Sequence, residues 1–325
     1  MPNNNSWNLH YHLLVIDQPI GTGLSLSFED DTVSTTQEAS QDFLTFLNRF
    51  FELFPELLAY PFIITGESYA GHYIPIFALD IMEKMPQVNL KGVAIGDGWV
   101  NSFLQTGEMP SFLFSVGVVD INTLDLLNTE ALKSQTTYLE GLFSESTQWS
   151  MAVYSEAGEV AGNMDIDNYQ LYMTPELIAS EAHFEELLLT TEIGQDYFGM
   201  AHYDSFEICN STINDYFLAD EAYDFTPYYS ELFQTDLPCL LYYGQNDMNC
   251  GAWGAQVWLK EVDWAPIEDL LDQSSVPWFS HDEIAGRIKS QDNVIYAIVY
   301  GAGHMVPVDQ PERAYDLISE FVDSL

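Results

Sequence analysis

One serine stands where a nucleophile would be held. The run Phe62-Ile63-Ile64-Thr65-Gly66-Glu67-Ser68-Tyr69-Ala70-Gly71 reads as a β-branched strand, a small-x-Ser-x-small turn and the start of a helix. Such a turn lifts a serine hydroxyl above the end of a sheet, and its strained backbone leaves room only for small side chains at Gly66 and Ala70. The N–H of Tyr69, at the head of the following helix, would then point to where an oxyanion forms. The bare pattern occurs often by chance; strand before and helix after give it weight.

A nucleophile of this kind needs an acid and then a histidine, in that chain order, each in a loop after a later strand. Cys239 to Tyr243 is a strand followed by Gly244-Gln245-Asn246-Asp247, and Val294 to Tyr300 is a strand followed by Gly301-Ala302-Gly303-His304. His304 would take the proton of Ser68, and Asp247 would fix its tautomer and stabilise the imidazolium, giving acyl transfer through a covalent ester. Taken singly each residue has a plainer reading. Asp247 could cap the helix from Ala252, and His304 could be a surface or packing histidine, as most of His10, His12, His72, His202 and His281 are read here. Order and setting together favour the triad. This chemistry calls for no metal and no cofactor. The three cysteines, Cys209, Cys239 and Cys250, form no C-x-x-C pair, so zinc and dithiol redox chemistry have little support.

The elements that must position these residues alternate as in a doubly wound, mostly parallel α/β sheet. Leu13 to Ile16 reads as a buried strand, and a helix follows from Ser34, with Phe43, Leu44, Leu47, Phe50 and Phe51 on one face and a capping box at Ser34/Gln37 or Thr35/Glu38. Next come strand Phe62 to Thr65, helix Tyr69 to Lys84, and strands Val93 to Ile95 and Cys239 to Tyr243. Helix Ala252 to about Val262, strand Val294 to Tyr300 and an amphipathic helix from Pro311 to Val322 complete the pattern. Between them the rhythm breaks: no Lys or Arg occurs between Lys133 and Lys260, and the chain from Phe103 to Ala201 reads as helices and loops. A structureless loop of that length is unusual, so it reads as an inserted acidic helical lid. The expected division is 1–102 and 202–325 as two parts of one core, with 103–201 as the lid.

Eight Lys and Arg against 50 Asp and Glu give a formal charge of −42. Nucleic acid is excluded as a natural partner, because phosphates are held by clustered cations, and anionic membrane surfaces are disfavoured likewise. With 47% apolar and 14% aromatic residues the chain has ample material for a core, unlike a disordered acidic tail. No signal peptide and no apolar run of membrane-spanning length is readable. The sequons Asn4-Asn5-Ser6 and Asn210-Ser211-Thr212 would accept glycans only in a secretory compartment.

At these motifs the chain resembles the serine carboxypeptidases, an α/β-hydrolase family, and within it most resembles the vitellogenic branch. The resemblance rests on Ile16-Asp17-Gln18-Pro19-Ile20-Gly21-Thr22-Gly23-Leu24-Ser25, on the elbow through Gly71-His72-Tyr73-Ile74-Pro75, on Gly92 to Gly98, on Tyr243 to Asp247, and on Gly301-Ala302-Gly303-His304-Met305-Val306-Pro307. It is strong over Leu13 to Val119 and Leu237 to Phe321. It implies a triad of Ser68, Asp247 and His304, the Tyr69 N–H as one oxyanion donor, and Glu67 as a carboxyl that holds the terminal carboxylate of a peptide. Met305 would line the site beside the histidine, and Cys250 would be a buried thiol near the acid. A protonated Glu67 can donate to a carboxylate whereas an ionised one repels it, so the resemblance implies peptide substrates and acid-favoured removal of C-terminal residues. It also implies a lysosomal, vacuolar or secreted setting.

The chain departs from the family at its start. The family's upstream strands and Trp-x-x-Gly-Gly-Pro-Gly loop, which supply the second oxyanion N–H and carboxylate-binding partners, have no counterpart here. The expectation is therefore an N-terminally incomplete chain in which the strand at Leu13 lacks its partner and Cys209 lacks a bridging cysteine. Losing one oxyanion donor costs about 10²–10³ in rate. Serine carboxypeptidase is the leading reading; the rivals are an acyltransferase or esterase with the same triad, and a non-catalytic truncated relative.

Overall fold

The computed structural model describes residues 3–27, 32–174, 186–197 and 206–325. Its centre is a sheet of six strands: β1 (Phe62–Glu67), β2 (Leu90–Gly96), β3 (Cys239–Gly244), β4 (Val276–Ser280), β5 (Glu283–Gln291) and β6 (Val294–Val299). Their order across the sheet is β1-β2-β3-β6-β5-β4. The pairs β1–β2, β2–β3 and β3–β6 are parallel, and β5 and β4 run antiparallel at one edge. The fold is thus α/β with a mixed sheet.

Side-chain alternation along β3 divides the core in two. Cys239, Leu241 and Tyr243 face one side, where they meet α2 (Ala70–Lys84), α7 (Thr226–Phe233) and α8 (Ala252–Trp258). Leu240 and Tyr242 face the other, against Ala314, Leu317, Ile318 and Phe321 of α9 (Pro311–Asp323). A strand covered on both faces has no reason to alternate polar with apolar residues, which is why β3 and β6 read as continuous apolar runs. Outside α2 lies α1 (Thr36–Leu53), whose Phe43, Leu44, Leu47 and Phe51 pack on Phe77, Ile81 and Met85; Phe43 and Phe77 stack at 4.3 Å. Thr35 Oγ1 accepts from Glu38 N, and Glu38 accepts from Ser34 N, so the cap at Thr35 is the one formed.

The segment 103–201 contributes α3 (Ser102–Ser115), α4 (Ile121–Leu139) and α5 (Phe143–Val160), which share a core of Met109, Leu113, Leu127, Ala131, Val153 and Ala157. That core continues into Met248 and Cys250, just after β3, so these helices are packed onto the end of the sheet where the acid loop lies. A further helix, α6 (Ser211–Ala222), lies against α5, with Thr147 Oγ1 donating to Leu218 O.

One expectation is corrected. Leu13 to Ile16 forms no strand and joins no ladder, and Leu13, Leu14 and Val15 are exposed; an apolar run becomes a strand only where a neighbour takes its N–H and C=O groups. The hairpin β4–β5 carries no local sequence signature, because its two-residue turn is His281-Asp282, with φ of 49° and 65°, instead of the Asn-Gly that marks such turns. Among the described residues no helix is long and apolar enough to cross a membrane.

Candidate active site

Three parallel strands deliver the three sequence-identified residues to one edge of the sheet, the C-terminal edge where doubly wound folds bind ligands. Ser68 follows β1, Asp247 follows β3, and His304 follows β6. Ser68 has φ of 62°, a left-handed conformation that a serine adopts at a cost, and three backbone bonds hold it there. Its N–H donates to Gly96 O at 3.0 Å, and its carbonyl accepts from Gly71 N and Trp99 N, both at 2.9 Å. A Cβ on Gly66 would lie 2.6 Å from the Ala70 Cβ, and one on Gly71 would strike the Trp99 backbone. The small residues around Ser68 are therefore steric requirements. Tyr69, at the head of α2, has no side-chain cap, so the N–H end of that helix is open to an anion.

Asp247 and His304 meet directly: His304 Nδ1 lies 3.1 Å from Asp247 Oδ2, with both side chains buried. Asp247 is further fixed by N–H donors from Asn249 (2.6 Å) and Cys250 (3.1 Å), so its alternative role as cap of α8 is not taken; Gly251 is the N-cap. The His304 loop is tied down in turn. His304 N donates to Asp167 O at 2.6 Å, and Gly303 N donates to Asp309 Oδ2 at 2.7 Å. Burial alone would lower the imidazole, but the charge and hydrogen bond of Asp247, with Asp167 and Glu67 beyond, carry His304 up to about 9.

Glu67 links the serine turn to the histidine loop, since the Val306 N–H faces its carboxyl. Burial pushes this carboxyl up to about 7, although His304 and Val306 pull it down. Its Oε2 is buried with no hydrogen-bond partner, the state of a group waiting for a ligand or holding a proton. Met305 is 46% exposed at the rim, and Cys250 is a buried free thiol whose ionisation burial strongly disfavours.

Other expectations fall away from the centre. Asn4 is exposed. Asn210 caps α6 through Oδ1, which accepts from Thr212 N and Ile213 N, while its Nδ2 donates to Gly21 O at 3.0 Å; a glycan would need that same nitrogen. Cys209 is an exposed free thiol. His72 is wholly buried, stacked on Phe225 at 3.7 Å and 3.8 Å from Asp220, which also accepts from Tyr69 Oη. It is thus a packing histidine behind the elbow, as read. His202 lies outside the described residues.

Two acids at the centre had no role assigned from sequence. Asp97, at the end of β2, and Asp167 both press on the His304–Asp247 pair. The signal for Asp97 lies in topology: β2 sits between β1 and β3, so whatever follows it emerges between the serine and the acid.

A family model described as serine carboxypeptidase matches residues 1–324. A probable serine carboxypeptidase of Dictyostelium discoideum, CPVL, is 29% identical over 98% of this chain and 65% of its own length. Carboxypeptidase Y of Komagataella phaffii is 30% identical over 98% of this chain and 63% of its own. The chain thus spans about two thirds of the length of these relatives. Among solved structures, a prohormone-processing carboxypeptidase from Saccharomyces cerevisiae superimposes with a TM-score of 0.83 at 22% identity, covering 99% of this chain and 76% of that one.

Proposed function

The chain belongs to the serine carboxypeptidase family, and from that premise we propose that it hydrolyses the last peptide bond of substrates with a free terminal carboxylate, using Ser68 as nucleophile. The buried His304–Asp247 pair at 3.1 Å, on the same sheet edge as the left-handed Ser68, is the observation that carries this reading. His304 removes the Ser68 proton as its Oγ attacks the penultimate carbonyl; the imidazolium then protonates the leaving amine, and water repeats the sequence on the acyl-enzyme. The Tyr69 N–H and the open end of α2 stabilise the oxyanion.

Glu67 supplies the preference for a free C-terminus. With its carboxyl raised to about 7, it is protonated in acid and donates to a terminal carboxylate; above 7 it ionises and repels one. The same proton serves catalysis. A base held near 9 would itself be protonated in acid, but Glu67 and Asp167 are two of the three charges that hold His304 there, and both carboxyls are raised by burial. As they take up protons, His304 is released toward its ordinary range. An acidic lumen or an acidic extracellular setting suits this arrangement.

A matched pair of peptides, one with a free C-terminus and one amidated, tests the proposal at about pH 5. Release of single C-terminal residues from the free form alone is expected, and absent with Ser68→Ala. Equal cleavage of both forms, or cleavage of small acyl esters only, would replace carboxypeptidase by an esterase or acyl-transfer activity.

A further inference from the structure

Asp97 is a buried carboxyl beside the triad that the proposed mechanism does not use. It is fully buried at the end of β2, and a carboxyl oxygen of Asp97, one of Asp247 and a ring nitrogen of His304 all lie within 4.8 Å of one another. Its Oδ1 accepts from Gly244 N at 2.8 Å, which anchors the start of the loop that carries Asp247. No N–H or O–H is directed at its Oδ2, which is buried. Two carboxyls buried this close disfavour the ionisation of both, and Asp97 is the one with fewer donors to stabilise a charge. Asp247 accepts two N–H bonds and faces the imidazole, whereas Asp97 has a single N–H donor and a bare second oxygen.

We infer that Asp97 is a positioning residue that works as a neutral carboxylic acid, donating its Oδ2 proton to Asp247 and so weakening the hold of Asp247 on the His304 proton. The groups that face it agree on where the proton sits. Glu67 from β1, Asp247 from the loop after β3, and the phenols Tyr242, Tyr243 and Tyr296 and the thiol Cys250 bring no positive charge to Asp97, and His304 is occupied by Asp247. Burial first, then the charges of Asp247 and Glu67 and a hydrogen-bonding contact with Asp247, push the Asp97 carboxyl well above the usual range, against the pull of Gly244 N–H. The consequence is directional. A donor on Asp247 spreads its negative charge, which makes the imidazolium less favourable and leaves more neutral base in acid. The catalytic half of the inference rests on His304 and Asp247 serving Ser68.

The test compares native protein with Asp97→Asn, which keeps a donor and an acceptor, and Asp97→Leu, which keeps the bulk and loses both. Infrared difference spectra at pH 7 read the proton without any activity: a protonated carboxyl C=O band present in the native protein and missing in Asp97→Asn is expected. Its absence from that difference spectrum overturns the assignment. The rate of organophosphonate labelling against pH reads His304. Asp97→Leu is expected to move the acid limb up by about one unit, a tenfold slower reaction at about pH 5, while Asp97→Asn leaves the limb in place. An Asp97→Asn limb displaced by a full unit overturns the inference, as does a folded Asp97→Leu whose limb does not move. Native protein that fails to label at all would strike at the nucleophile reading, while the infrared result would still stand or fall by itself.

Discussion

At the scale of single residues, the site is a set of carboxyls sorted by what surrounds them. Asp247 is given N–H donors and an imidazole; Glu67 is given burial and a bare oxygen; Asp167 lies between, with Asn249 Nδ2 donating to it at 3.2 Å. Environment, not residue type, sets Glu67 apart from the carboxyls beside it. Glu67→Gln makes the neutral state permanent, since an amide can donate to a carboxylate at any pH. Hydrolysis of peptides by the native protein should weaken above pH 7, mainly through a rising KM, and Glu67→Gln should flatten that rise; a KM profile with the same inflection in both would assign the inflection elsewhere. Turnover of a neutral ester, which carries no carboxylate to repel, should follow His304 instead and persist to higher pH.

At the scale of elements, the elbow shows how a strand and a helix force one residue into place. β1 ends at Glu67 and α2 begins at Ala70, so Ser68 and Tyr69 alone make the reversal, and Gly66 and Ala70 meet across it. Gly66→Val should lower the melting temperature by several degrees and abolish labelling of Ser68, because overpacking costs about 1–3 kcal/mol and displaces the turn; thermal unfolding and labelling on one sample check both. Much of this was legible in the sequence. The elbow, the strands that carry Asp247 and His304, and the amphipathic α1 and α9 each have a local signature, whether steric or periodic. What was not legible depends on partners distant in the chain. Leu13 to Ile16 has the composition of a strand and no ladder to join, while β4 and β5 form a hairpin whose turn lacks a glycine. Asp97 stands in the Gly92 to Gly98 run that carries the resemblance, but no role could be read for it, because Asp247 and His304 come from the loops after β3 and β6 and meet it only in the folded sheet.

At the scale of the whole molecule, the formal charge of −42 and the buried acids act in the same direction. Glu67 and Glu221 are raised by burial from an ordinary 4.5 to about 7. Each binds more protons folded than unfolded across that interval, so stability falls as pH rises through it and is recovered on acidification. Repulsion among fifty Asp and Glu residues relaxes over a lower but overlapping range. The melting temperature should therefore be higher at about pH 5 than at about pH 7.5, with part of the difference removed in Glu221→Gln; scanning calorimetry at the two pH values decides, and a lower melting temperature in acid would contradict the assignment. The proposal that joins these scales is that a chain of this length brings Ser68 and His304 into working contact. Reaction with an organophosphonate, with the adduct located by peptide mass spectrometry, tests it most directly. The account predicts one adduct, on Ser68, lost in Ser68→Ala and formed about 10⁴-fold more slowly in Asp247→Asn, where the histidine is held in the wrong tautomer; labelling that is unchanged by either substitution, or that falls on another residue, would contradict it.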